Sequence, residues 1–213
     1  MNISRIVRLI SVAVFGLGLT LTAIAQPLGV LQSTETMDRG AIKLMVAPIM
    51  TFGKDGGDDK IGVTARAGYG FIDRLDLEAK LGFFDGATVV GVDGEYWIFR
   101  GSSENSGVDF SLTGGIHWKF GSNNSYDVFG IEVIPQISGN LTKNLELCGA
   151  FSASFESIQD LPAGYDDSYT TLHLVPGIEY RLSKSLDLVG EFGLALNNDS
   201  FNYIGAGLAY YLN

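Results

Sequence analysis

The sequence predicts an all-β chain that closes into an up-and-down antiparallel transmembrane barrel of ten strands, with eight as the alternative count. Three observations carry this prediction. Apolar and polar residues alternate strictly, as in FIDRLDLEAKLGFF at 71–84. A turn followed by Leu-acid-Leu recurs along the chain, at LTKNLELCGAFSASF (141–155) and LSKSLDLVGEFGLAL (182–196). Charged residues keep to one side of every alternating run. Alternation with period two marks a strand with one oily face and one polar face.

Composition sets the frame. The 213 residues include 28 glycines and 5 prolines, with 11% aromatics, a mixture suited to sheet and tight turns. A net charge of −10 leaves nothing to neutralise phosphates, so nucleic acid is excluded as a partner. Arg5 and Arg8, the apolar run from Leu9 to Leu21 and the triplet Ala23-Ile24-Ala25 read as a signal peptide over 1–25, cleaved after Ala25. That leader contains no cysteine, which argues against a lipid anchor, and the lone Cys148 has no internal disulfide partner. Residues 26–39 show no alternation and are expected to be a periplasmic lead-in, or a strap entering the barrel. The barrel domain is expected over 40–213.

The strands follow in order. Motif starts fall at residues 42, 75, 108, 145 and 186, each interval long enough for a hairpin of two strands of roughly ten residues. Ile42-Lys43-Leu44 opens a strand over 41–52, and its partner covers 60–71 after the loop GKDGGDD. The third strand, 75–84, leaves the short turn 72–74, and the fourth covers 88–98. Val108-Asp109-Phe110 opens the fifth over 107–120, with the sixth at 126–138 beyond GSNNS. The turn 139–144 leads to the seventh over 145–157, and QDLPAGYDD to the eighth over 168–182. The turn 183–185 precedes the ninth at 186–197, and the tenth covers 201–212. Short turns on one rim and longer loops on the other suit a membrane barrel. A strand of eleven residues, at about 3.3 Å each and tilted by roughly 40°, spans its apolar band.

The charges choose the architecture. Outward positions read as Leu75, Leu77, Ala79, Leu81 and Phe83 in the third strand, and Leu186, Leu188, Gly190, Phe192, Leu194 and Leu196 in the ninth. Inward positions hold Lys43, Arg66, Asp76, Glu78, Lys80, Asp93, Glu95, Asp109, Lys119, Glu132, Glu146, Glu179, Arg181, Asp187 and Glu191, together with His117 and His173. A charge facing lipid at mid-depth costs about 2–4 kcal/mol, and no outward set carries one in its middle. A soluble sandwich would reverse the balance, with a dry shared core and charge toward water. Among the inward groups, Lys43, Arg66, Asp76, Glu78, Lys80, Glu95, Glu132, Glu179, Arg181 and Glu191 form the expected lumen charge network. Acids outnumber bases about two to one, so any pore is expected to lean toward cations.

On this alternation over about residues 40–213, the chain resembles the small outer-membrane β-barrel families broadly like the OmpA transmembrane domain and OmpW. It departs from them in strand number, ten against the usual eight, and in its ending, Tyr210-Tyr211-Leu212-Asn213, where an aromatic last residue is common. The resemblance implies a bacterial outer-membrane location, contact with lipid and lipopolysaccharide, and insertion by the assembly machinery; a monomer is expected. It implies structural or narrow-channel roles better than any enzyme activity. Ten-stranded rim proteases use acids and a His, but no Asp-Asp or Asp-His pair is visible here at matching positions, so two lumen histidines are expected instead. Cys148 is expected to be an inward filler. No cofactor or metal is expected: the acidic loops (Asp55, Asp58, Asp59; Asp160, Asp166, Asp167) lack calcium-loop spacing. Adhesion through the short loops is the remaining alternative.

Overall fold

The computed structural model describes residues 28–54, 57–84, 86–101, 107–121, 126–159 and 168–212. The expected leader with its cleavage site, and Asp55, Asp160, Asp166 and Asp167, lie outside the described residues. Ten strands follow one another: β1 Ile42–Thr51, β2 Lys60–Ile72, β3 Leu75–Phe84, β4 Ala87–Phe99, β5 Val108–Gly121, β6 Val128–Asn140, β7 Leu145–Ile158, β8 Ser168–Ser183, β9 Leu186–Ala195 and β10 Tyr203–Leu212. Each pairs antiparallel with its sequence neighbours, and β1 closes the ring against β10 with Ile42 opposite Leu212 and Thr51 opposite Tyr203. The count is ten rather than eight, and the expected ends hold within a few residues. Both ends of the barrel chain reach the rim of short turns, the periplasmic rim in such barrels.

Alternation decides which side each residue faces. In β3, Asp76, Glu78 and Lys80 are buried while Leu77 and Phe83 are exposed to the surroundings. The outer belt continues through Val92, Leu112, Ile131, Leu174, Leu188 and Leu208, all exposed. Of the aromatics near strand ends, Tyr69, Tyr96, Trp118, Phe120, Tyr180 and Tyr210 face out, whereas Trp97 is inside at 6% exposure. Pro48, Pro135 and Pro176 face outward, and paired registers stop beside each, between β1 and β10, β6 and β7, and β8 and β9. Proline has no N–H to give, so each keeps one neighbouring strand in register and interrupts the other.

Two features depart from a uniformly polar lumen. Met45, Ala47, Ile49, Ile134, Ala150, Val175, Val189 and Ala209 also point inward and are buried together. Their cover is the segment ahead of β1. Residues 28–38 do not hang below the barrel as a periplasmic lead-in; they run inside it, with Leu28, Val30 and Leu31 packed on that apolar arc. The segment comes in at the short-turn rim, where Gly40 N donates to Gly70 O at 2.8 Å and Gly70 N to Ala41 O at 3.0 Å.

Replacing Val92, 52% exposed at the middle of β4, by Arg should destabilise the folded barrel in lipid by about 2–4 kcal/mol. Denaturant titration of the barrel refolded in phospholipid vesicles measures it; an unchanged midpoint and slope would mean this face does not meet lipid.

Candidate functional site

The site is the lumen itself. One arc, built by β1 to β6, concentrates charge. Arg66 Nη1 donates to Glu78 Oε1 at 2.7 Å, and Lys43 Nζ lies 2.8 Å from Glu78 Oε2. Lys80 Nζ sits 2.7 Å from Asp93 Oδ2 and also binds Glu132. Glu95 accepts the Ser111 hydroxyl at 2.6 Å and, more loosely, the Gln136 amide. All these side chains are buried or nearly so, and charge-assisted bonds are the means by which ions persist away from water.

Glycines let charges meet across strands that are not neighbours. Gly68 stands in register between Lys43 and Glu78, and Gly115 between Asp93 and Glu132. Gly130 stands between His117 and Glu156, whose Nε2 and Oε2 are 3.0 Å apart above it. A Cβ on Gly130 would lie 2.3 Å from His117 Nε2 and 2.6 Å from Glu156 Oε2, and one on Gly115 2.0 Å from Asp93 Oδ1. Alanine at either place would displace the charged pair beside it.

The sequence-expected residues distribute as follows. Lys43, Arg66, Glu78, Lys80 and Glu132 join in ion pairs. Asp76 and Glu95 face each other across β3 and β4, with Asp76 Oδ2 accepting Met37 N at 2.7 Å. Glu179 stands apart from that arc, opposite Glu146. Glu191 lies on β9, one strand from the β1–β10 seam. Arg181 is exposed at the rim in register with Asp187, so it does not enter the buried network. The histidines face inward: His117 meets Glu156, while His173 Nε2–H donates to Phe201 O at 3.0 Å. Asp58 is exposed and Asp59 accepts Gly53 N at 2.9 Å, as a loop-closing residue does. Among the described residues, no three His, Cys, Asp or Glu side chains are placed to hold a metal ion.

The strap is what the pattern of residue types did not place. Its backbone is held by Arg66, whose Nη1 donates to Val30 O at 2.8 Å and whose Nη2 donates to Gly29 O. Glu191 accepts Val30 N at 2.9 Å and Leu31 N at 2.5 Å. Gly29 (φ 75°) and Leu31 (φ 46°) take left-handed backbone there, and a Cβ on Gly29 would lie 2.6 Å from Glu191 Oε1. Lower down, Thr34 Oγ1 and Ser138 Oγ are 2.5 Å apart. On the long-loop side of Leu28–Val30 lies a polar hollow lined by His117, Glu132, Ser154, Glu156, His173 and Tyr203 among others.

Replacing Lys80 by Met should cost about 3–5 kcal/mol, because Asp93 and Glu132 are then buried without their cation. Adding Asp93→Asn and Glu132→Gln to that variant should recover part of the loss in the same refolding titration. A single Lys80→Met variant as stable as the native chain would show the pairing to be energetically idle.

The outer membrane protein beta-barrel domain family matches residues 15–211. Among solved structures, the COG4313 outer membrane channel from Pseudomonas putida F1 aligns with TM-score 0.58 at 11% identity, covering 84% of this chain and 98% of that one. Ail, the attachment invasion locus protein of Yersinia pestis, solved with the heparin analogue sucrose octasulfate, aligns with TM-score 0.39 at 10% identity, covering 82% of this chain and 99% of its own. The KdgM porin aligns with TM-score 0.45 at 12% identity, covering 80% and 99% respectively. No match was found among the curated proteins. With a closed ten-stranded barrel, an apolar outer belt and a family match over nearly its whole length, the chain belongs to the outer membrane protein beta-barrel domain family.

Proposed function

We propose that this protein is a non-enzymatic, narrow, cation-leaning channel of the bacterial outer membrane, held closed by its own residues 28–38. One observation carries the reading: the strap lies along the lumen and is tied to it by named bonds at several heights, to Asp76, Ser138, Arg66 and Glu191. A ten-stranded barrel is only a little wider than one filled by its own side chains, so one extended segment suffices to close it. The cation preference rests on the inward wall count of eleven carboxylates, Glu156 included, against five Lys and Arg, since rings of acids favour cations.

Leu31 is the natural point to loosen the strap without touching the wall. It is 1% exposed, sits beside Glu191, and has a positive φ that Asp tolerates better than Leu. In a planar bilayer, the native chain should pass little current. The Leu31→Asp variant should show discrete steps, with a reversal potential in a KCl gradient on the cation side. A folded Leu31→Asp barrel that stays silent, or one that selects anions, would overturn the reading.

A further inference from the structure

Where the strap tip is gripped, the hydrogen bonds from the wall go to strap backbone. Arg66 reaches the carbonyl oxygens of Val30 at 2.8 Å, of Gly29, and of Leu28 at 3.5 Å. Glu191 takes the N–H groups of Val30 and Leu31. A guanidinium on carbonyls and a carboxylate on N–H groups form a matched pair for a peptide backbone, and also for the two charged ends of a short peptide. Most charges on the arc have side-chain partners, as Lys80 has Asp93 and Glu132. Arg66, besides its bond to Glu78, joins Glu191 in holding a peptide between them.

The surroundings fit the same ligand. Leu28, Val30 and Leu31 pack against inward Met45, Ile49 and Val89 and their neighbours, so the grip is flanked by apolar wall. Beside Val30 lies a small hollow lined by Ala150, Val175, Gly177, Val189 and Glu191, mostly apolar wall next to the carboxylate. Arg66, 4% exposed, also keeps its Nε without a hydrogen-bond partner, as do Asp76 Oδ1 and Asp93 Oδ1. A sugar would meet apolar wall with its hydroxyls, and an inorganic cation would leave Arg66 facing like charge.

We infer that residues 28–31 occupy, as a built-in stand-in, a lumen site for short peptides with apolar side chains, and that such peptides are the solutes this channel admits when the strap leaves. The inference rests on the closed-channel reading above, and its test separates the two. The probe is the synthetic zwitterionic tetrapeptide Leu-Gly-Val-Leu, the sequence of the strap tip, added to single Leu31→Asp channels in KCl, with a disaccharide as control. The peptide should interrupt the current at a concentration at least tenfold below that of the sugar. Arg66→Gln or Glu191→Gln, each added to Leu31→Asp and measured against its own open current, should raise the blocking concentration at least tenfold. Either variant tests the grip from its own side, so the failure of one to fold leaves the other to decide. Equal block by peptide and sugar in a conducting channel, or block unchanged by both substitutions, overturns the peptide site and leaves the closed channel standing. Silence from folded Leu31→Asp barrels overturns the closed channel, and with it this inference.

Discussion

Hydrocarbon offers no hydrogen-bond partner to an amide, and the rest of this structure follows from that. A sheet crossing lipid cannot keep a free edge, so β1 must find β10, and the ring closes. Once closed, a strand residue has two surroundings, lipid or lumen. Every polar side chain within the membrane is thereby sent into a space that ten strands make narrow. Opposite walls come within reach of long side chains, which is why Lys80 on β3 can bind Glu132 on β6. The outward prolines show the same constraint from the other side. Each interrupts one ladder and keeps its other neighbour in register, with Pro48 opposite Val63, Pro135 opposite Leu112 and Pro176 opposite Gly149.

The strap inherits the problem that closure solved for the wall. An extended segment inside a barrel brings amides that no ladder satisfies, and buried amides need partners. The lumen supplies them from its excess of acids. Glu191 receives two strap N–H groups, Asp76 receives Met37 N, and Ser138 meets Thr34. Asp76 and Glu191 are bonded to strap backbone, and part of the imbalance between acids and bases is the complement of the strap. The apolar arc has the same origin. Met45, Ile49 and Val189 would be misplaced in a water-filled pore, and they are covered by Leu28, Val30 and Leu31.

Strands were legible because their signal is local. Period two needs only a few consecutive residues, and the turn–Leu–acid–Leu motif marks where each hairpin restarts, so count, order and facing follow from the sequence. The buried charges were legible for the same reason, except Arg181, whose parity is inward but whose height at the rim leaves it exposed. The strap was one of two readings for its segment, because its order comes from contacts 160 residues away in the chain rather than from any repeat of its own. The inward apolar residues were invisible as a group without it. The His117–Glu156 pair was also missed, since the two residues sit on strands two apart; the readable trace was Gly130, an inward glycine in the register between them.

These two kinds of contact behave differently if the strap leaves. The pairs Lys80–Asp93, Lys80–Glu132, Lys43–Glu78 and His117–Glu156 are wall to wall and survive. Arg66 keeps Glu78 but loses its carbonyls, and Glu191 loses its N–H groups. Withdrawal of residues 28–31 therefore uncovers one cation and one anion together, leaving the sum of lumen charge as it was. On the proposed reading, selectivity among ions would then be set by the permanent excess of wall carboxylates, and recognition of a larger solute by the two groups the strap had covered. A single lumen can in this way prefer cations by its total charge and still choose a neutral zwitterion by the placement of Arg66 and Glu191.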